Sequence, residues 1–213
     1  MLYEKPLLRG WLHAGALPVT LVAGFVLVAL GPTPQARLAS AVYAITSALL
    51  FGISATYHRG TLGPRLAEVL RRFDHANIYL IIAGTYTPFA LLALDGAARI
   101  AVLAVIWGGT LAGVLFRVFW VGAPRWLYTA LYLALGWTAI FVMPQLLEGA
   151  GVTAVVLVAV GGVFYSLGAV VYGLRRPDPS PRWFGFHEVF HAFTIAAYLV
   201  QYIAVSIVVY SHL

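Results

Sequence analysis

The sequence predicts an all-α integral membrane protein of seven transmembrane helices, and three observations carry that expectation. Hydrophobic residues make up 62% of the 213-residue chain and charged residues only 9%, against roughly 25% charged in a soluble domain. Mean hydropathy is +0.91, and apolar runs close to the roughly 20 residues that cross a bilayer recur along the chain. Loop-forming residues separate those runs. The expected organisation is a single seven-helix membrane domain over residues 1–213, with no internal repeat, low-complexity tract or separate soluble domain.

The first span, 11–30, follows Lys5 and Arg9. That start is like a signal-peptide n-region, but the apolar part is too long for an h-region of roughly 7–15 residues, so a retained first helix is expected. Gly31-Pro32-Thr33-Pro34 separates it from the second span, 38–57. Beyond that span Leu62, Leu66, Val69, Leu70 and Phe73 recur at helical spacing, while Arg65, Glu68, Arg71 and Arg72 fall mostly elsewhere. That pattern predicts a short interfacial helix over 60–72 on the cytoplasmic surface. The third span, 75–94, holds Tyr86-Thr87-Pro88, read as a proline kink, and ends at Asp95-Gly96. The fourth, 98–116, stops before Gly122-Ala123-Pro124, and the fifth, 126–146, before Glu148-Gly149. The sixth, 152–173, runs into the proline- and arginine-rich stretch 175–182, after which 187–209 is the seventh.

Charge sets the orientation. Lys5, Arg9, Arg59, Arg65, Arg71, Arg72, Arg117, Arg125, Arg175, Arg176 and Arg182 fall on one side of these spans, and only Arg37 and Arg99 on the other. By the positive-inside rule the N-terminus is cytoplasmic and the C-terminus outside, in a multi-pass protein of the inner or plasma membrane. The net charge of +6 is therefore topological, and no nucleic-acid partner is expected. Twelve tyrosines and six tryptophans suit interfacial belts. With no cysteine in the chain, any metal must be held by His, Asp or Glu.

An ionisable group inside a span is costly and marks a functional candidate. Ser54 and His58 lie one turn apart at the end of the second span, Asp74 and His75 open the third, and His187 and His191 lie one turn apart at the start of the seventh. All sit at one depth on the cytoplasmic side. Two histidines at i and i+4 clamp one ion, and His58 would add a third nitrogen from another helix. Three imidazoles leave a tetrahedral zinc one open position, the catalytic arrangement, where water becomes a nucleophile near neutral pH. Asp74 is placed to orient or deprotonate that water, and Ser54 to hydrogen-bond it or a developing oxyanion.

Each residue alone has a plainer reading: an interfacial histidine pair, an aspartate at a helix start, a small packing serine. Convergence of the set favours the metal site. His75, about 100° around the helix from Asp74, is expected at the interface, with a swapped role left open. His13 and His212 are expected to snorkel or be solvated, and Gln201 to make an interhelical hydrogen bond.

His187-Glu188-Val189-Phe190-His191 also matches the H-E-x-x-H of zinc proteases, and Leu94-Asp95-Gly96 resembles the L-D-G of site-two-type membrane proteases. The expected topology puts Asp95 at the outer end of the third span, about 30 Å from the histidines. The two motifs cannot share an ion, and Glu188 is expected to be a supporting or interfacial group.

The stretches SATYH at 54–58, RRFDHANIYLIIAGTYTPF at 71–89 and HEVFH at 187–191 resemble the bacterial haemolysin III family, related to adiponectin and progestin receptors and more remotely to alkaline ceramidases. The resemblance spans nearly the whole chain. It implies seven helices, a cytoplasmic N-terminus and a zinc near the cytoplasmic leaflet bound by His58, His187 and His191, with Asp74 and Ser54 near its water. Unlike the receptors, the chain lacks a long N-terminal domain, which argues against a hormone-receptor role. The leading expectation is a membrane-embedded zinc hydrolase acting on an amide or ester of a membrane lipid. Two alternatives stand beside it: a non-enzymatic receptor or stress-response protein with a structural zinc, and a cytolytic protein.

Overall fold

Local sequence decides where the helices begin. In the computed structural model, which describes residues 6–120 and 122–211, the elements are α1 (Trp11–Ala29), α2 (Pro34–Arg59), α3 (Pro64–Ala93), α4 (Gly96–Phe119), α5 (Arg125–Gly136), a 3-10 stretch (Trp137–Val142), α6 (Met143–Leu174) and α7 (Phe186–Tyr210). No β-strand occurs among the described residues. Lys5 and His212 lie outside them.

Thr33 caps α2 by accepting the Ala36 N–H at 3.1 Å, and Pro34 supplies the pre-set φ of a first helical residue. The helix therefore starts about one turn earlier than residue 38. Pro64 does the same for α3. Between Pro64 and Asp74 there is no glycine or further proline to interrupt the backbone. Most of the stretch 60–72 accordingly forms the first turns of α3 instead of a helix of its own, with Leu66 and Val69 exposed.

Among the described residues, six helical stretches are long and apolar enough to cross a membrane: Trp11–Ala29, Pro34–Arg59, Pro64–Ala93, Gly96–Phe119, Arg125–Leu174 and Phe186–Tyr210. The fifth of these, 50 residues long, holds the expected fifth and sixth spans. Gly151, at φ 79° and ψ 162°, breaks the helix there, in a conformation that side chains with a Cβ rarely adopt. Residues on either side of it meet. The Tyr128 hydroxyl lies 3.5 Å from that of Tyr172, and Trp137 Nε1 donates to Ser166 Oγ at 3.0 Å, so the run folds back on itself around Gly151. Where α5 gives way to the 3-10 stretch, the Tyr86 hydroxyl donates to the Gly136 carbonyl and accepts from the Ala139 N–H, each at 2.7 Å. It serves backbone groups that the change of helix type would strand.

α3 is the hub, packed against α2, α4, α5, α6 and α7. Asn77 donates to the Leu49 carbonyl of α2 at 3.0 Å, and Thr110 of α4 to the Tyr79 carbonyl of α3 at 3.1 Å. Tyr43, Phe51, Leu27, Ile106 and Val205 fill the interior. Large apolar side chains also face outward, including Phe25, Ile100 and Phe141, each more than two-thirds exposed. An apolar exterior around polar interhelical bonds suits a hydrocarbon surround.

Candidate metal centre

Three helices deliver the central groups. α2 ends with His58 in its last turn, α3 carries Asp74, and α7 starts with His187 and His191 one turn apart. The start of α7 is pinned twice. Asp178 Oδ1 accepts the Phe186 N–H at 2.8 Å, and Glu188 Oε2 reaches back to the Gly185 N–H at 2.9 Å in a capping box. Both bonds fix where the first helical turn points.

One nitrogen from each of His58, His187 and His191 lies within 4.8 Å of the others. Nε2 of His58 and Nε2 of His187 are 3.2 Å apart, close to the ~3.3 Å between two nitrogens on one tetrahedral ion with Zn–N near 2.05 Å. His58 and His187 are inclined by 74°, and His187 and His191 by 58°, so their in-plane lone pairs can converge. His191 Nδ1 is buried without a hydrogen-bond partner. The donor set fits a borderline-soft cation such as zinc, and nothing in it selects zinc over other imidazole-binding metals. Asp74 Oδ2 stands 3.7 Å from His58 Nε2, and Ser54, buried one turn before His58, lies beside the Asp74 carboxyl. All five residues singled out as site candidates thus lie together.

The other candidates go elsewhere. His75 is part-buried, its Nδ1 2.7 Å from the Arg71 carbonyl and its Nε2 3.2 Å from the Tyr172 hydroxyl. Both nitrogens are occupied away from the triad. Glu188 is fully buried, not interfacial, and pairs with Arg9. With one carboxylate oxygen on Arg9 and the other on the helix cap, it is a structural clasp. Gln201 donates from α7 to the Val158 carbonyl of α6 at 3.1 Å, as expected.

His13 departs most from expectation. It is neither snorkelling nor solvated but 2% exposed, stacked on His191 at 3.7 Å with planes 9° apart. Its position just inside α1 suggested an interface, but the N-terminal segment is folded over the site and buries it. Leu7 N–H and Leu8 N–H bond to the carbonyls of Arg182 and Trp183, and Arg9 pairs with Glu188. At Gly10, φ is +80° and an added Cβ would come 2.6 Å from His58 Cβ. Only glycine lets the backbone pass so close in that conformation. Parallel rings 3.7 Å apart cannot aim in-plane lone pairs at one ion, so His13 is excluded as a ligand alongside His191. The signal available in the sequence was the default suspicion of any ionisable group in a span.

A narrow cavity of about 160 Å³ leads away from these groups. Asp74, Ser54, His13, His187 and His191 line it at one end, and Ile78, Ile81, Ile82, Phe89, Leu146 and Val155 continue it between α3 and α6. Along α3 alone it runs from Asp74 to Phe89, roughly 22 Å at 1.5 Å per residue.

A family model described as Haemolysin-III related matches residues 1–202. The Hemolysin-3 homolog of Bacillus subtilis (strain 168) is 32% identical over 162 residues, covering 75% of this chain and 72% of the relative. Hemolysin-3 of Bacillus cereus is 30% identical over 173 residues, covering 81% and 76%.

Proposed function

The chain belongs to the Haemolysin-III related family, and from that premise we propose that it is a membrane-embedded, zinc-dependent hydrolase of lipid amide or ester bonds. One observation carries the reading: a triad of histidine nitrogens with a neighbouring carboxylate stands at one end of a long apolar cavity. The protein crosses the inner or plasma membrane seven times, with the N-terminus and the site on the cytoplasmic side. The reversal at Gly151 and the eleven-to-two distribution of Lys and Arg support that count and orientation.

His58, His187 and His191 would hold the ion. When bound, zinc supplies Lewis acidity, which makes water a nucleophile near neutral pH and polarises an acyl carbonyl. Asp74 takes the proton from the attacking water and returns it to the leaving amine or alcohol as the C–N or C–O bond breaks. Ser54 orients the Asp74 carboxyl through its hydroxyl. The apolar walls receive the acyl chain and keep bulk water away from the carbonyl.

The test is release of free fatty acid, followed by mass spectrometry, from ceramides, N-acyl amines and acylglycerols. It uses the detergent-purified, zinc-supplied full chain beside Asp74→Asn and His191→Ala. Release that both variants abolish is expected; equal signals from all three proteins would sink the hydrolase reading. The triad also ties α2 to α7, which suits a purely structural zinc in a receptor or stress-response protein. Under that reading Asp74→Asn leaves every cellular phenotype unchanged. Lysis, the property in the relatives' names, is separated from both by dye leakage from liposomes carrying the purified protein.

A further inference from the structure

Away from the histidines, α4 and α5 meet at a second concentration of unspent hydrogen-bonding capacity. Arg117, in the last turn of α4, is 3% exposed, and its Nε and Nη1 are buried with no hydrogen-bond partner. None of the described ion pairs involves it. A guanidinium cannot shed its proton to escape burial, as a lysine can, so a buried one without a counter-ion is costly. The nearby helix-end carbonyl of Val118 already accepts from Arg72 at 2.8 Å. Arg125, which opens α5, repeats the pattern: its Nη1 is buried and without a partner.

Both guanidinia rest against one aromatic cluster. Arg117 lies 4.3 Å over the Tyr128 ring and Arg125 5.3 Å over that of Tyr172. Ring faces attract a cation but leave N–H groups pointing elsewhere unsatisfied. Tyr79 packs into the same cluster with Tyr128, and its hydroxyl is buried without a partner. Two cations in none of the described ion pairs and a hydroxyl without a partner describe half of a binding site.

We infer that the α4–α5 junction binds a phosphate group through Arg117 and Arg125, supplied by the headgroup of an anionic phospholipid or by free phosphate. Phosphate has the geometry and charge for guanidinium forks. Phe119, Trp120 and Trp126 stand exposed around the junction, the aromatic dress of headgroup depth, which favours the lipid source. Tyr128 and Tyr172 also line the cavity that ends at the histidines, so a bound headgroup sits against its wall. The site stands whether or not the histidines hydrolyse anything.

Native mass spectrometry of the full chain in non-ionic detergent tests it. The probes are phosphatidylglycerol, diacylglycerol with the same acyl chains, and inorganic phosphate, each on the wild type, Arg117→Gln and Arg125→Gln. Expected is one phosphatidylglycerol held at least about tenfold more tightly than diacylglycerol, with that preference lost in both variants. Phosphate that binds by itself and displaces the lipid identifies the free anion as the ligand; phosphate without effect identifies the headgroup. Equal retention of the two lipids with no phosphate binding overturns the site, as does wild-type phosphatidylglycerol affinity in the variants. Arg125 is only half-buried, so Arg125→Gln keeps the test decisive if Arg117→Gln does not fold.

Discussion

α3 carries one aspartate a third of the way along it and is followed by another just past its end, and their fates are opposite. Asp74 stands with its side chain 13% exposed, 3.7 Å from His58 and against Ser54. Asp95, one residue past the C-cap, has its side chain 97% exposed and pairs with Arg99 at 2.7 Å. Each begins as half of a plausible motif, H-E-x-x-H being common to both readings. They are 21 positions apart and the chain is helical from Asp74 to Ala93, which corresponds to roughly 30 Å, so only one can serve histidines gathered at one end. A carboxylate acquires chemistry from the helices that meet around it and not from its neighbours in the chain.

Breaking the Asp74 end should have the largest effect. His58→Ala and His191→Ala are each expected to lower bound zinc from about one per chain to less than a tenth of that, read by elemental mass spectrometry, because two nitrogens hold zinc poorly. Loss in only one variant would show that α2 and α7 do not share an ion. Asp74→Asn should keep the zinc and slow lipid hydrolysis on the order of 100- to 10,000-fold, the usual scale for a removed general base; Asp95→Asn, assayed alongside, should match the wild type. Glu188→Gln leaves Arg9 buried without its carboxylate, and about 3–5 kcal/mol of stability should go with it, measured by thermal unfolding in detergent. Val155→Trp narrows the far part of the cavity and should move preference toward shorter acyl chains, with each excluded methylene worth about 0.8 kcal/mol. Smallest of all, Arg99→Ala at the Asp95 end should leave unfolding unchanged, since that pair is open to solvent.

The same contrast explains what could be read from the chain. His187 with His191, and Ser54 with His58, declare themselves by i, i+4 spacing, because one helical face is local information. The clustering of the α2, α3 and α7 ends follows from topology, since charge and span length put them at one depth. His13 on His191 and Arg9 on Glu188 are contacts between residues 178 and 179 positions apart, made by a segment folded over the site, and no period announces them. α3 begins at Pro64 because an unbroken backbone outweighs the charges that made 60–72 look like a separate surface helix. The 3-10 stretch after Gly136 depends on a tyrosine hydroxyl from another helix, which the local residues do not encode.

The separation of the ligands along the chain has a consequence for biogenesis. His58 and His187 are 129 residues apart, and at roughly 5–20 residues per second a ribosome needs about 6–26 s to make that stretch. During that interval the second helix presents a lone imidazole, with no competent chelate around it. The last helix brings both missing nitrogens, and the first-made segment then closes over them through Arg9 and Glu188. On the function proposed above, metal acquisition would thereby be deferred until translation of the bundle is complete, and a truncated or stalled chain would leave the translocon without an ion.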